Sequence, residues 1–428
     1  MSELEPLPLE PLDPIDTDGS SGGRARGSST LAGSAGTAGA AGADAVVLTS
    51  GALARSALTV RRGSGRWWLL SGGSIGIAFA VVTVLVFVLP VLEARLLSRF
   101  VALGVALLGL QFVVGRAGQL SLCHGAFVGV GSYGTTIAIS RYELPHLVGV
   151  AVAPALGFVA GCFVGLLALR IKATYLGPVT LSVAVVFPML VKRFSWFTGG
   201  SGGLPLVRQM EPPAWMGLQV PEFYKWNHLI IVAIAVVALV VARNVIGSPV
   251  GLAVQAVAQN PLSAATSGVN VTRVRVVSYG WGAAFGALGG GLLVIDTPVV
   301  GADNYDLFRS LGYYAAVMVG GAASMIGAVF GAALLVGVPW LMESYSIGAS
   351  PNLVLGVLLV ASILVAPGGL AVAVRDYVAG LIDVRDPLQD RGGTDADARF
   401  APSPSGGPPT DVAAGPSGHY GADDERLH

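Results

Sequence analysis

One histidine lies inside a long apolar stretch, and the polar residues that accompany it carry no charge. His124 follows Gln119 and Ser121 and precedes Ser132 and Tyr133, in a run interrupted repeatedly by glycine. An ionisable group at such a position is a functional candidate by default. It has two readings: a neutral imidazole hydrogen-bonded to a neighbouring helix, or a group lining a path. Backbone exposed by glycine can bind the ammonium and carboxylate of a zwitterion, and Gly-interrupted apolar segments mark binding regions in transporters. This segment is therefore the candidate substrate path, with Thr180 and Ser182 as further candidates on a neighbouring run.

Other chemistry is missing. A phosphate-binding loop needs Gly-Lys followed by Ser or Thr. The only lysines are Lys172, Lys192 and Lys225, and none follows glycine. Ion-driven carriers hold ionisable groups within their spans, yet acids are absent from the apolar runs, with Asp296 at the end of one. Two cysteines, Cys123 and Cys162, make neither a disulfide framework nor a metal site and read as small packing residues. No catalytic residue, metal site or cofactor is expected, and no nucleic-acid partner.

The elements that must position these residues follow from composition. The 428 residues are 53% hydrophobic and 12% charged, with mean hydropathy +0.71 and net charge zero. About 25% charged is usual for a soluble domain, so a membrane protein is indicated. About 20 apolar residues cross a bilayer as a helix. Candidate runs are 67–90, 97–114, 122–139, 147–169, 175–191, 228–241, 276–295, 307–319, 326–341 and 353–366. They predict an all-α membrane protein, a polytopic helical bundle of about 10 crossings (8–10), the late ones being short. Strands of a β-barrel would alternate in shorter segments.

Residues 1–65 and 381–428 are rich in Gly, Ser, Ala and Pro and read as disordered tails, without a secretory signal. Residues 66–380 form the membrane domain. Arg55, Arg61, Arg62 and Arg66 before the first run place the N-terminus in the cytoplasm. Alternation then puts both tails there.

On this topology residues 244–275 form a cytoplasmic loop. Val250, Val254 and Val257 share one helical face, with Gln255 and Gln259 one turn apart on another. Asn260 is a good N-cap, Pro261 suits the first position of a second short helix, and Gly268 suits its left-handed end. Two short helices at the membrane surface are expected, with small side chains such as Ala265 offering close packing. Either they dock a partner or they shield their own bundle; docking is the favoured reading.

Four blocks carry a resemblance: "GRAGQLSLCHGAFVGVGSYG" (115–134), "FTGGSGGLP" (197–205), the loop with "VNVTRVRVVSYG" (269–280), and "VMVGGAASMIGAVFGAALL" (317–335) with its "APGGL" exit. In this order they resemble the permease subunit of branched-chain amino-acid ABC importers, over roughly 67–370. The resemblance implies ATP-binding ABC subunits, a second homologous permease subunit and an extracytoplasmic substrate-binding protein as partners, in a bacterial cytoplasmic (inner) membrane. It implies that 244–275 is the ATPase-coupling loop, and that "TGGSGG" belongs to the surface receiving the binding protein. Where ABC permeases commonly carry an acid in this loop, this chain has Ala265, so a charged contact is not implied. Cys123, Gly125 and Ser132 are small-for-small departures in the first block. The rival readings are the same machinery importing urea or short-chain amides, an ion-coupled secondary transporter, and a membrane scaffold.

Overall fold

Each apolar run of the sequence carries a helix, and the helices differ mainly in how much of themselves they bury. The computed structural model describes residues 79–374, apart from 171–174, 207, 209, 298, 323, 347, 349, 366 and 367. The expected tails, 1–65 and 381–428, lie outside the described residues, as does the start of the first run. We number the helices α1 (Phe79–Val88), α2 (Val91–Gln111, continued by a π-helical turn Phe112–Arg116), α3 (His124–Ser140), α4 (His146–Leu169) and α5 (Leu176–Arg193). After a short turn α6 (Ser195–Thr198) come α7 (Phe223–Gly247), α8 (Pro249–Gln259), α9 (Pro261–Thr266) and α10 (Val271–Asp296). The chain then forms α11 (Leu307–Gly320), α12 (Met325–Ser344) and α13 (Pro351–Val365). Strand is confined to β1 (Leu204–Pro205) and β2 (Val299–Val300), a two-residue antiparallel pair among the described residues.

Among the described residues, six helices are long and apolar enough to cross a membrane: α2 with its π turn, α4, α5, α7, α10 and α12. The chain is an integral membrane protein built as an all-α bundle. The described part of α1, and α3, α11 and α13 in full, are shorter than a complete crossing. Proline accounts for part of the irregularity: Pro154, Pro188 and Pro339 sit inside α4, α5 and α12, where each removes one backbone donor.

α10 is the axis of the bundle. In its apolar window 83% of the residues are buried, against 22% in α5, so α5 presents most of itself to surroundings outside this chain. α10 is flanked by α2, α3 and α4. Apolar lipid tails supply no hydrophobic drive between helices, so close backbone approach must hold them. Glycine permits that approach. A methyl group added at Gly161 of α4 would collide with the Tyr279 carbonyl of α10, and one at Gly131 of α3 with the Ala287 backbone.

Candidate functional site

α2 serves as a ruler for depth. At 1.5 Å per residue its 26 residues to Arg116 span about 39 Å, and Ala106 lies about 15 Å from the Arg116 end. The Ala106 carbonyl is 2.8 Å from His124 Nε2. Only seven residues separate Arg116 from His124, so residues 117–123 climb back into the bundle without forming a helix. α3 therefore begins near mid-depth, and its seventeen residues carry it to the far end. The sequence reading had a continuous crossing over 122–139. Instead the crossing is broken, half irregular and half helical.

Irregular backbone at membrane depth is tolerated only where its polar groups find partners inside the protein. Here they do. Gln119 N donates to the Val113 carbonyl at 3.0 Å, and Gly118 makes the turn with φ +61°. The Leu120 carbonyl accepts from the Tyr279 hydroxyl of α10 (2.9 Å), and Leu122 N donates to Thr180 Oγ1 of α5 (3.1 Å). The start of α3 is held from a third side, where Gly125 N donates to Ser310 Oγ of α11 (3.1 Å). α11 thus also begins near mid-depth, and it runs toward the Arg116 end. There Gln111 Nε2 donates to the carbonyls of Gly321 (3.2 Å) and Ser324 (2.7 Å). Two short helices with opposite directions meet by their N-termini inside the bundle.

His124 is 1% exposed, and its ring stands edge-on to Phe127 and Tyr313. Its Nε2 meets a neighbouring helix, as the packing reading expected, yet its buried Nδ1 has no partner. Gln119 is half-buried, and Ser121 is buried 3.7 Å from Cys123 Sγ. Ser132 bonds across to α10, its hydroxyl donating to the Gly290 carbonyl (2.8 Å), and Tyr133 donates to the Val300 carbonyl beyond (3.2 Å). Thr180 joins this group by capping Leu122. Ser182 does not: it is exposed and bonds back to Pro178 of its own helix (2.9 Å).

Tyr305 lies beside Tyr133. Its ring packs against Tyr133 and Phe187, and burial pushes its phenol above the usual range, opposed by the nearby Ser132 hydroxyl. Tyr279, Tyr305, Ser310 and Tyr313 were not singled out by the sequence reading, because each lies 150 or more residues beyond the segment it touches. Among the described residues no group of three or more His, Cys, Asp or Glu is placed to hold a metal ion.

The 244–275 loop forms two short helices, as expected. Ser248 caps α8, and Asn260 Oδ1 caps α9 by accepting from Leu262 N and Ser263 N, both at 3.1 Å. Pro261 opens α9, Gly268 ends it with φ +85°, and Asn270 caps α10. Val254 and Val257 are buried, whereas Val250 on the same face is 41% exposed. Gln255 is half-buried, and Gln259, Asn260, Pro261, Ala265 and Gly268 are exposed. Leu262 is 76% exposed. Both readings of this loop have a face: α8 packs on the bundle while α9 is displayed. Val254 packs with Phe112 and Ala117, at the foot of the broken crossing. Ala258 lies beside Gly118, 3.7 Å from where a side chain there would begin.

A family model described as "Branched-chain amino acid transport system / permease component" matches residues 92–365. The chain is similar to the "High-affinity branched-chain amino acid transport system permease protein LivM" of Salmonella typhimurium, 26% identical over 285 residues. That match spans 61% of this chain and 66% of the relative, just under two thirds of its length. The protein of the same name from Escherichia coli is 25% identical over 299 residues, 65% of this chain and 68% of the relative. No solved structure matches.

Proposed function

Because the chain belongs to the branched-chain amino acid transport permease family, we propose that it is the membrane-spanning subunit of an ATP-driven ABC importer for branched-chain amino acids. Both LivM relatives carry that cargo in their names. The importer works in a bacterial inner membrane, with both tails of this chain in the cytoplasm. A second homologous permease subunit completes the path, an extracytoplasmic binding protein delivers substrate, and separate ABC subunits hydrolyse ATP. The chain itself is not an enzyme.

The observation that carries the reading is the contact between hairpin and path. Val254 and Ala258 of α8 rest on Ala117 and Gly118, where the irregular half of the broken crossing begins. An ATPase pressing on α9 moves α8, and α8 bears on the segment leading to His124. Gln119, Ser121, His124, Ser132, Tyr133 and Thr180 line or support the substrate path; Ser182 belongs to the lipid-facing side of α5. Gln255, Gln259, Asn260, Pro261, Ala265 and Gly268 form the coupling element. Such a permease offers two packings whose balance the ATPase shifts.

Uptake of labelled leucine, and of urea in parallel, by cells with and without this chain tests the cargo. Leucine uptake that depends on the chain is expected; uptake of urea alone would replace the cargo. Gly268→Val tests the coupling. A β-branched residue strains a φ of +85°, with open space around it. Normal membrane insertion with ATP hydrolysis uncoupled from uptake is expected, and normal coupled transport would remove the coupling role.

A further inference from the structure

The apolar runs exclude acids but not arginine. Arg99 is eight residues into α2, about 12 Å from its Val91 end, and Arg309 lies in the first turn of α11, next to the Ser310 that holds Gly125. Both are exposed, and neither side chain has a hydrogen-bond or ion-pair partner among the described residues. Arginines borne on the helices of a membrane bundle are costly unless they face its interior or a water-filled cavity, where they mark substrate or ion pathways.

They converge on one buried ring. Tyr313 lies within electrostatic reach of Arg309, Arg99 and Asp306, and its ring is 6.4 Å from that of His124. Arg309 also reaches Tyr305, and Arg99 reaches Asp296, which Arg95 approaches at 4.0 Å. Glu93 faces a separate groove against α12. Around Tyr313, Arg99 and Arg309 thus stand with Asp306, two positive charges against one negative. The converging N-termini of α3 and α11 add to the positive potential there. Close by, His124 keeps a buried Nδ1 with no partner. One oxygen of Asp306 caps Arg309 N at 2.8 Å, and its carboxylate is only half-buried.

We infer that Arg99 and Arg309 form a station that receives the carboxylate of a zwitterionic substrate, with Asp306 taking its ammonium group. This rests on the proposed import of amino acids and narrows it. A zwitterion supplies the missing negative charge and uses both signs of the cluster, whereas urea or a neutral amide uses neither. The apolar side chain is left to the aromatic wall of Phe127, Tyr305 and Tyr313.

Leucine uptake by cells carrying the whole importer tests the station. Arg309→Gln, Arg309→Lys and Arg99→Gln are compared with the natural chain at matched membrane levels. A charge-assisted bond lost to glutamine lowers Vmax/KM by about tenfold or more, and lysine retains part of the activity. Full uptake by both glutamine variants would overturn the station while leaving amino-acid import standing. A lysine variant no better than glutamine would also overturn it, since a merely structural guanidinium behaves that way. Absence of leucine uptake with the natural chain would overturn the import reading and the station with it. If Arg309→Gln fails to reach the membrane, Arg99→Gln, on a different helix, decides by the same criterion.

Discussion

Two stretches of this chain interrupt its apolar helices with small and polar residues, and they end in opposite environments. Residues 117–123 enter the bundle, and 260–270 stay on its surface. The difference lies in who satisfies the backbone. Within the first stretch, Leu120 and Leu122 are held by Tyr279 and Thr180 from two other helices. In the second, Asn260 caps α9 and Asn270 caps α10 with their own side chains. A segment that caps itself can remain at a wet surface. One that borrows its partners is committed to the interior, since each unmatched polar group there is penalised.

That contrast can be broken from the inside first. Gly286→Val would place a side chain against the His124 ring. Overpacking of this kind costs about 1–3 kcal/mol. Thermal unfolding of the detergent-solubilised protein should shift down markedly, with uptake lost. Next, Tyr279→Phe keeps the ring and deletes the hydroxyl bonded to Leu120, leaving a partly buried carbonyl without that donor at about 1 kcal/mol. The same unfolding assay should register it, and uptake should fall further than stability alone explains.

Outside, the expected effects on the bundle shrink. Asn260→Ala removes the cap of α9 for about 1 kcal/mol, confined to the hairpin. Hydrogen exchange should speed up over 261–270 with the bundle unchanged; exchange spreading to 117–123 would mean the two stretches are one cooperative unit. The smallest effect on the isolated chain is expected for Leu262→Asp, within about 0.5 kcal/mol as for other surface changes. Its side chain is 76% exposed. Co-purification with the ABC subunits should nevertheless drop, and unchanged recovery would sever α9 from docking.

The hairpin was legible because its signals are local: a cap, a proline and a left-handed glycine follow one another within twenty residues. Helical periodicity puts Val250, Val254 and Val257 on one face, but only the structure shows that Val254 and Val257 are buried and Val250 is 41% exposed. In the path, His124 and Ser132 were visible as polar residues in an apolar run. Ser182, chosen on the same grounds, sits on a helix that is 22% buried and turns away. Arg99 and Arg309 each fall within the first three residues of an apolar run, and nothing local in the sequence links the two.

Composition and apolar periodicity by themselves determined that this is a helical membrane protein with short capped helices between α7 and α10, since those signals depend only on neighbours in the chain. Only the tertiary structure decided depth. That α3 and α11 start in the middle of the bundle, and that Ser310 arrives beside Gly125, follows from contacts between residues some 180 positions apart. No local pattern encodes such meetings; they arise because irregular backbone inside the bundle must find its hydrogen bonds on other helices.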